Sequence, residues 1–226
     1  MIDFHNEDCT CDFLSKMKSA KMIESPWKYY IIDDLFCDSC FSKILEEIKN
    51  LHPDKTDLGK GGGKEDYTAF RSYNHIQQYL NCVDYMYTLY PNHRSYDHLF
   101  CYPTLLQMKE EMSWPVHDDI IERTCTMVIY IDPEESIGTE IYSNINDYHH
   151  TIEWKPNRAS FFCPEIGKTW HAYQSPKGTR TSLTFFATQN KLKGYEQLYL
   201  KTASENTFDA TMLKYIAEEK CTKNFI

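Results

Sequence analysis

Apolar residues recur along this chain at two different periods. After Asp38 they fall at Phe41, Ile44, Leu45, Ile48 and Leu51 with Lys and Glu between them, which predicts an amphipathic helix that stops before Pro53. A second helical stripe, Ile76, Leu80, Val83, Tyr87 and Tyr90, predicts a helix over 76–90 ending before Pro91. A third covers about 206–220, with Phe208, Met212 and Ile216 inward and Ser204 or Asn206 as its cap. Short β-branched and aromatic segments behave differently. One opens at 27–32, and after about residue 103 they dominate, at 124–131, 140–143, 150–154, 159–163, 169–173 and 181–187, with turn residues between them.

Strands so short and so regularly spaced suit a sandwich or jelly roll, giving a mainly β fold class with flanking α-helices. Residues 1–24 are polar and irregular and read as a tail. Residues 25–226 read as one domain whose β core spans about 103–190. Gly59, Gly61, Gly62 and Gly63 before Lys64 read as a connection or a lid. Glu65 follows Lys64, so the phosphate-loop spacing is absent.

Composition narrows the function classes. With 42% hydrophobic and 25% charged residues, the chain is not disordered, and 226 residues bury a core without disulfide staples. The net charge of -9 disfavours nucleic-acid partners, whose binding rests on phosphate neutralisation. No apolar run approaches the roughly 20 residues that span a bilayer, and the first residues carry acids where a signal peptide carries Lys or Arg. The expectation is a cytoplasmic protein with no membrane partner. Nine cysteines include Cys9-x-Cys11 and Cys37-x-x-Cys40, which together supply the ligands of one zinc ion. The 25 residues between Cys11 and Cys37, and the lack of a second CxxC, argue against that site. Cys82, Cys101, Cys125 and Cys163 read as small core hydrophobes.

The chemistry concentrates in Trp114-Pro115-Val116-His117-Asp118-Asp119. On a strand, residues i and i+2 share a face, so His117 and Asp119 reach one point while Asp118 faces away. They supply two ligands of a 2-His-1-carboxylate triad, which holds Fe(II) with open positions. His171, on a later strand, is the candidate third ligand. An enzyme of this kind that uses 2-oxoglutarate also needs a buried cation for the far carboxylate, and the planar fork of arginine suits it. Of only five arginines, Arg180 lies nine residues after His171. A hairpin turning at Pro176 to Gly178 brings it back beside that histidine, with Ser182, Thr184 and Phe186 on the same face.

From about residue 27 to 187 the chain resembles the prolyl 4-hydroxylase-like branch of the 2-oxoglutarate- and Fe(II)-dependent dioxygenases. The resemblance rests on 29–36 (YYIIDDLF), His117-x-Asp119, 128–132 (VIYID), 138–142 (GTEIY), 154–162 (WKPNRASFF) and the His171 to Arg180 unit. It implies a double-stranded β-helix, a cupin-like jelly roll. It implies iron at His117, Asp119 and His171. Arg180 would hold the 5-carboxylate of 2-oxoglutarate with the Tyr130 hydroxyl beside it, Thr184 would face that carboxylate, and Ile141 would pack on the co-substrate. The implied reaction is hydroxylation of a protein side chain, of the prolyl type, or of a small molecule. Dioxygen is consumed and 2-oxoglutarate is oxidatively decarboxylated to succinate and carbon dioxide, with ascorbate as accessory reductant. The chain departs from the pattern at Ile131-Asp132, at a single Gly138 and at Phe186, which bears on the substrate. Related halogenases leave the carboxylate position empty, and Asp119 fills it.

Rival readings of the same residues remain. His52-Pro53-Asp54 repeats the HxD string but lacks a strand context. His149-His150 offers another ligand in place of His171, as the weaker candidate. A cupin-like metal enzyme that ignores 2-oxoglutarate has no need of Arg180, and a non-catalytic jelly-roll binding module has no need of the complete triad.

Overall fold

In the computed structural model, described over residues 2–3, 10–50, 66–71, 73–90, 98–108, 113–119, 123–173, 180–188 and 222–224, the alternation at 180–188 has two destinations. Leu183, Phe185 and Ala187 point into a helix-covered core. Arg180, Ser182, Thr184 and Phe186 point into a cavity between two sheets.

In chain order the described residues form β1 (Ile2–Asp3), α1 (Phe13–Lys18), β2 (Lys21–Ile23), β3 (Tyr29–Ile32), α2 (Asp38–Asn50), β4 (Asp66–Arg71) and α3 (Tyr73–Leu89). Then come β5 (His98–Met108), β6 (Trp114–His117), β7 (Arg123–Asp132), β8 (Glu140–Asn144), β9 (Asp147–Thr151), β10 (Ala159–Phe162), β11 (His171–Tyr173), β12 (Arg180–Thr188) and β13 (Thr222–Asn224). The larger sheet runs β1-β4-β5-β12-β7-β10-β3-β2, with β13 also on β5. The smaller sheet runs β6-β11-β8-β9. Apart from the parallel β1–β4 pair, the pairings among the described residues are antiparallel. This is the expected mainly β jelly roll with helices outside. No described helix is long and apolar enough to cross a membrane.

Each face of the larger sheet has its own partner. The outer face carries Leu105, Met127, Ile129, Phe161, Leu183 and Phe185 against the helices. Tyr79 of α3 packs on Phe161 and Phe185, with ring centroids 5.7 and 5.3 Å away, and its hydroxyl donates to the Cys125 carbonyl at 2.9 Å. The inner face meets the smaller sheet through Trp27, Tyr29, Tyr130, Ile141, Ile152 and Phe162. Cys82, Cys101, Cys125 and Cys163 are buried, as small hydrophobes should be. Asn157, at φ 66°, closes β3 onto the segment entering β10. Its side chain accepts from the Phe36 N–H at 2.8 Å and donates to the Phe36 carbonyl at 2.9 Å.

Several expectations change. The polar tail over 1–24 is corrected for 11–23. Asp12 caps α1 by accepting from Ser15 N, Phe13 and Met17 are buried one turn apart, and β2 pairs with β3. One turn of helix with two apolar residues is too short to show a period. The predicted strand at 150–154 is observed as 147–151, after which Trp154 leaves the sheet to stack on Tyr130. The β structure begins before residue 103, because β5 starts at His98 and β2, β3 and β4 join the larger sheet. The buried stripe of α3 is turned toward Tyr79, Cys82 and Met86, leaving Tyr87 and Tyr90 only partly buried. The glycine loop, His52-Pro53-Asp54, the Pro176 to Gly178 turn and the helix expected at about 206–220 lie outside the described residues.

Candidate metal and carboxylate site

Strand register builds the site. In the smaller sheet His171 of β11 stands opposite His117 of β6 and Ile141 of β8, and Ile141 in turn stands opposite His150. The His117 and His171 rings lie 4.3 Å apart between centroids. β6 ends at His117, and Asp119 lies two residues beyond, buried. The ligand atoms of His117, Asp119 and His171 all lie within 4.8 Å of one another. Asp118 turns away and accepts from Gly167 N at 2.6 Å. His150 is two strands from His171, with its Nε2 against the Tyr29 hydroxyl at 2.6 Å, and does not join the triad.

Hydrogen bonds set the tautomer of both imidazoles. His117 Nδ1 lies 2.9 Å from the Pro115 carbonyl and His171 Nδ1 lies 2.8 Å from the Thr169 carbonyl. A carbonyl only accepts, so Nδ1 carries a proton in each ring, which leaves Nε2 as the lone-pair atom of the neutral imidazole. The Trp114 indole N–H donates to His117 Nε2 at 3.1 Å. Burial, reinforced by His171, pushes His117 down to about 4, so its ring is neutral near pH 7.

Asp119 is fixed as an anion. Arg123 donates to Oδ1, and the Thr126 hydroxyl donates to Oδ2 at 2.7 Å. Burial alone raises such a carboxyl, but the Arg123 guanidinium, His171 and the Thr126 hydrogen bond outweigh it and hold Asp119 down at about 2. The Arg123 guanidinium is itself stacked on Phe186, 3.8 Å from the ring centroid. Two imidazoles oriented through Nδ1 and one carboxylate are a donor set that holds a divalent first-row metal with positions left open.

The same cavity, of about 110 Å³, contains Arg180, which is 5% exposed. Its Nη2 donates to the Thr139 hydroxyl at 3.3 Å, while Nε and Nη1 have no hydrogen-bond partner among the described residues. The buried Tyr173 hydroxyl is also without one. The guanidinium lies 4.4 Å from the Tyr173 ring centroid and 5.1 Å from that of Tyr130. A buried cation with two unused donors beside a third is a cradle for a carboxylate.

Thr184 and Ser182 line this cavity with Arg180 and the triad. Tyr130 and Ile141 do not. The fully buried Tyr130 hydroxyl accepts from Thr139 N at 2.7 Å and makes no hydrogen bond to Arg180 Nε or Nη1, while its ring packs beside the guanidinium. Ile141 belongs to the apolar cluster between the sheets. Sequence reasoning did not single out Arg123, Thr126, Trp114, Thr139 or Tyr173. Tyr173 alone carried a signal, two positions after His171 on one strand.

No protein-family model matches the chain, and no curated protein sequence matches it. Solved structures do. A prolyl hydroxylase from Trichoplax adhaerens, in complex with a hypoxia inducible factor oxygen degradation domain peptide fragment, is 16% identical with a TM-score of 0.53, covering 74% of this chain and 86% of its own. A prolyl 4-hydroxylase structure from Phytophthora capsici is 15% identical with a TM-score of 0.50, covering 85% of this chain and 67% of its own. This chain shares with them the double-stranded β-helix fold.

Proposed function

We propose that this chain is a 2-oxoglutarate- and Fe(II)-dependent dioxygenase that hydroxylates a peptide side chain or a small molecule. The observation that carries the reading is Arg180, a buried cation with two unused donors in the same cavity as two imidazoles and an anionic carboxylate. A metal site without a carboxylate co-substrate has no use for that cation. The similar Trichoplax adhaerens structure holds a peptide, which favours a peptide substrate here.

In this reading His117 Nε2, Asp119 and His171 Nε2 hold Fe(II). Arg180, with Tyr173 and Thr184 beside it, takes the distal carboxylate of 2-oxoglutarate. The bound iron supplies the activation of dioxygen that couples 2-oxoglutarate decarboxylation to C–H hydroxylation. The chain supplies position and protonation state. Pro115 and Thr169 lock the tautomers that aim Nε2 inward, and Arg123 and Thr126 keep Asp119 ionised. A metal held by His117 Nε2 would take the lone pair that the Trp114 indole N–H uses here. Leu106, Val128 and Phe186 supply apolar wall that limits water around the reacting groups.

The test is succinate formation. Purified protein with Fe(II), ascorbate and 2-oxoglutarate is expected to release succinate, and His171→Ala is expected to abolish it. Absence of succinate, with and without a peptide library as prime substrate, contradicts the reading.

A further inference from the structure

A second cluster of ligand-type side chains lies on the opposite face of the larger sheet, under the helices. Cys11 precedes α1, Cys37 and Cys40 flank the start of α2, and His75 sits in the first turn of α3. One ligand atom from each of Cys11, Cys40 and His75 lies within 4.8 Å of the other two, and all three residues are buried. The Cys11 and Cys37 sulfurs are 3.4 Å apart and unbonded.

We propose that Cys11, Cys37, Cys40 and His75 together bind one zinc ion, a structural clip that ties the segment before α1 to α2 and α3.

Several observations support this assignment. Zinc bonds sulfur at about 2.3 Å in a tetrahedron, which sets neighbouring sulfurs about 3.8 Å apart. The ligand atoms of Cys11, Cys40 and His75 lie within 4.8 Å of one another, close enough to share one ion, and Cys37 Sγ, 3.4 Å from Cys11 Sγ, stands outside that group of three and joins it by turning its side chain. Three Cys and one His fill a tetrahedron with no position left open, the pattern of a structural site. The Cys37 N–H donates to Cys11 Sγ at 3.2 Å, and such N–H donors stabilise thiolate ligands. Burial alone raises the Cys37 thiol. Hydrogen bonds from Ser39, the Cys40 N–H and the Cys40 and Cys11 side chains outweigh it and bring Cys37 down to about 5. Burial keeps His75 neutral, at about 4. Its ring is packed by Phe13 at 5.7 Å and Phe36 at 5.0 Å between centroids, so the orientation is fixed without metal. The spacing objection loses its force, because the fold brings Cys11 to Cys37 and α3 supplies the fourth ligand.

The experiment is metal analysis of the full chain purified under reducing conditions from zinc-supplemented medium. One zinc per chain is expected in the wild type and in the His117→Ala/His171→Ala variant, and loss of that zinc is expected in Cys40→Ser. Because Cys40→Ser also alters a fully buried core position, the wild type is loaded with Co(II) as a second measurement, and an intense thiolate-to-cobalt charge-transfer band is expected. Absence of that band overturns the proposal. So does zinc that disappears with the two histidines of the other cavity, or a mass deficit of two hydrogens showing a Cys11–Cys37 disulfide.

Discussion

Arg123 donates to the Asp119 carboxylate while its own guanidinium lies on the Phe186 ring, 3.8 Å from the centroid. β7 thus reaches across to the segment after β6 and pins the one acidic group of the triad. The electrostatics of the site follow from this contact. An anion buried to 1% exposure is tolerable only because a cation and the Thr126 hydroxyl meet it.

That pairing sets a pH dependence. An unfolded Asp titrates near 3.9, and the folded Asp119 near 2. The folded state binds fewer protons there, so the contribution to stability is complete above about pH 4 and is lost as the pH falls toward 2. The size is on the order of 2 kcal/mol. Chemical denaturation of metal-free protein between pH 6 and 2 is expected to show a steeper acid loss for the wild type than for Asp119→Asn. Equal slopes contradict the assignment. Arg123→Met, which strands the buried carboxylate, is expected to cost about 3 kcal/mol at pH 7.

Arg180→Ala removes two unused donors and one used donor from the cavity. Charged hydrogen bonds are worth about 1.5–3 kcal/mol each, so 2-oxoglutarate affinity is expected to fall by roughly 10- to 100-fold or more. Fe(II) affinity should stay within about twofold, because Arg180 does not contact the triad. Arg180→Lys restores charge without the planar fork and is expected to fall between the two. Equal loss of iron and co-substrate places Arg180 in a purely structural role. Both affinities are read by anaerobic titration.

Gly138 is set by a close approach. A Cβ there would lie 1.8 Å from the Ile152 carbonyl oxygen and 3.0 Å from the Tyr130 hydroxyl. Gly138→Ala is expected to cost about 3 kcal/mol in urea unfolding and to weaken 2-oxoglutarate binding, because Tyr130 and Thr139 together support Arg180. Wild-type affinity in a folded variant argues against that support.

Asn157→Ala tests the closure of β3. It leaves the Phe36 N–H and carbonyl unpaired and puts Ala at φ 66°. The expected loss is about 3 kcal/mol, and Asn157→Gly, relieved of the left-handed strain, is expected to lose about 1 kcal/mol less. The denaturant midpoints should rank wild type, Gly, Ala.

What the sequence made legible is what strand alternation alone decides. Arg180, Ser182 and Thr184 share a side of β12 because they are two apart, and Asp119 meets His117 two residues on, just past the end of β6. Arg123 and Thr126 reach Asp119 from β7, a contact that no local pattern specifies. The place of the Tyr130 ring beside Arg180 depends on its bond to Thr139 N, a contact across nine residues. The segment around Phe13 read as a tail because its two buried residues occupy one helical turn, and its anchors are distant: Gln78, which accepts from Phe13 N at 2.7 Å, and the Phe36 ring. Cys11 and His75 meet only because α3 crosses that same segment, which no spacing rule reports.

The most direct measurement is anaerobic titration of 2-oxoglutarate into the full chain loaded with Fe(II), followed by visible absorption. The expected result is a charge-transfer band that saturates at one equivalent per chain and is absent in the His117→Ala variant. Iron binding without any such band, or a band that survives His117→Ala, contradicts the assignment of His117, Asp119, His171 and Arg180 to one iron and 2-oxoglutarate site.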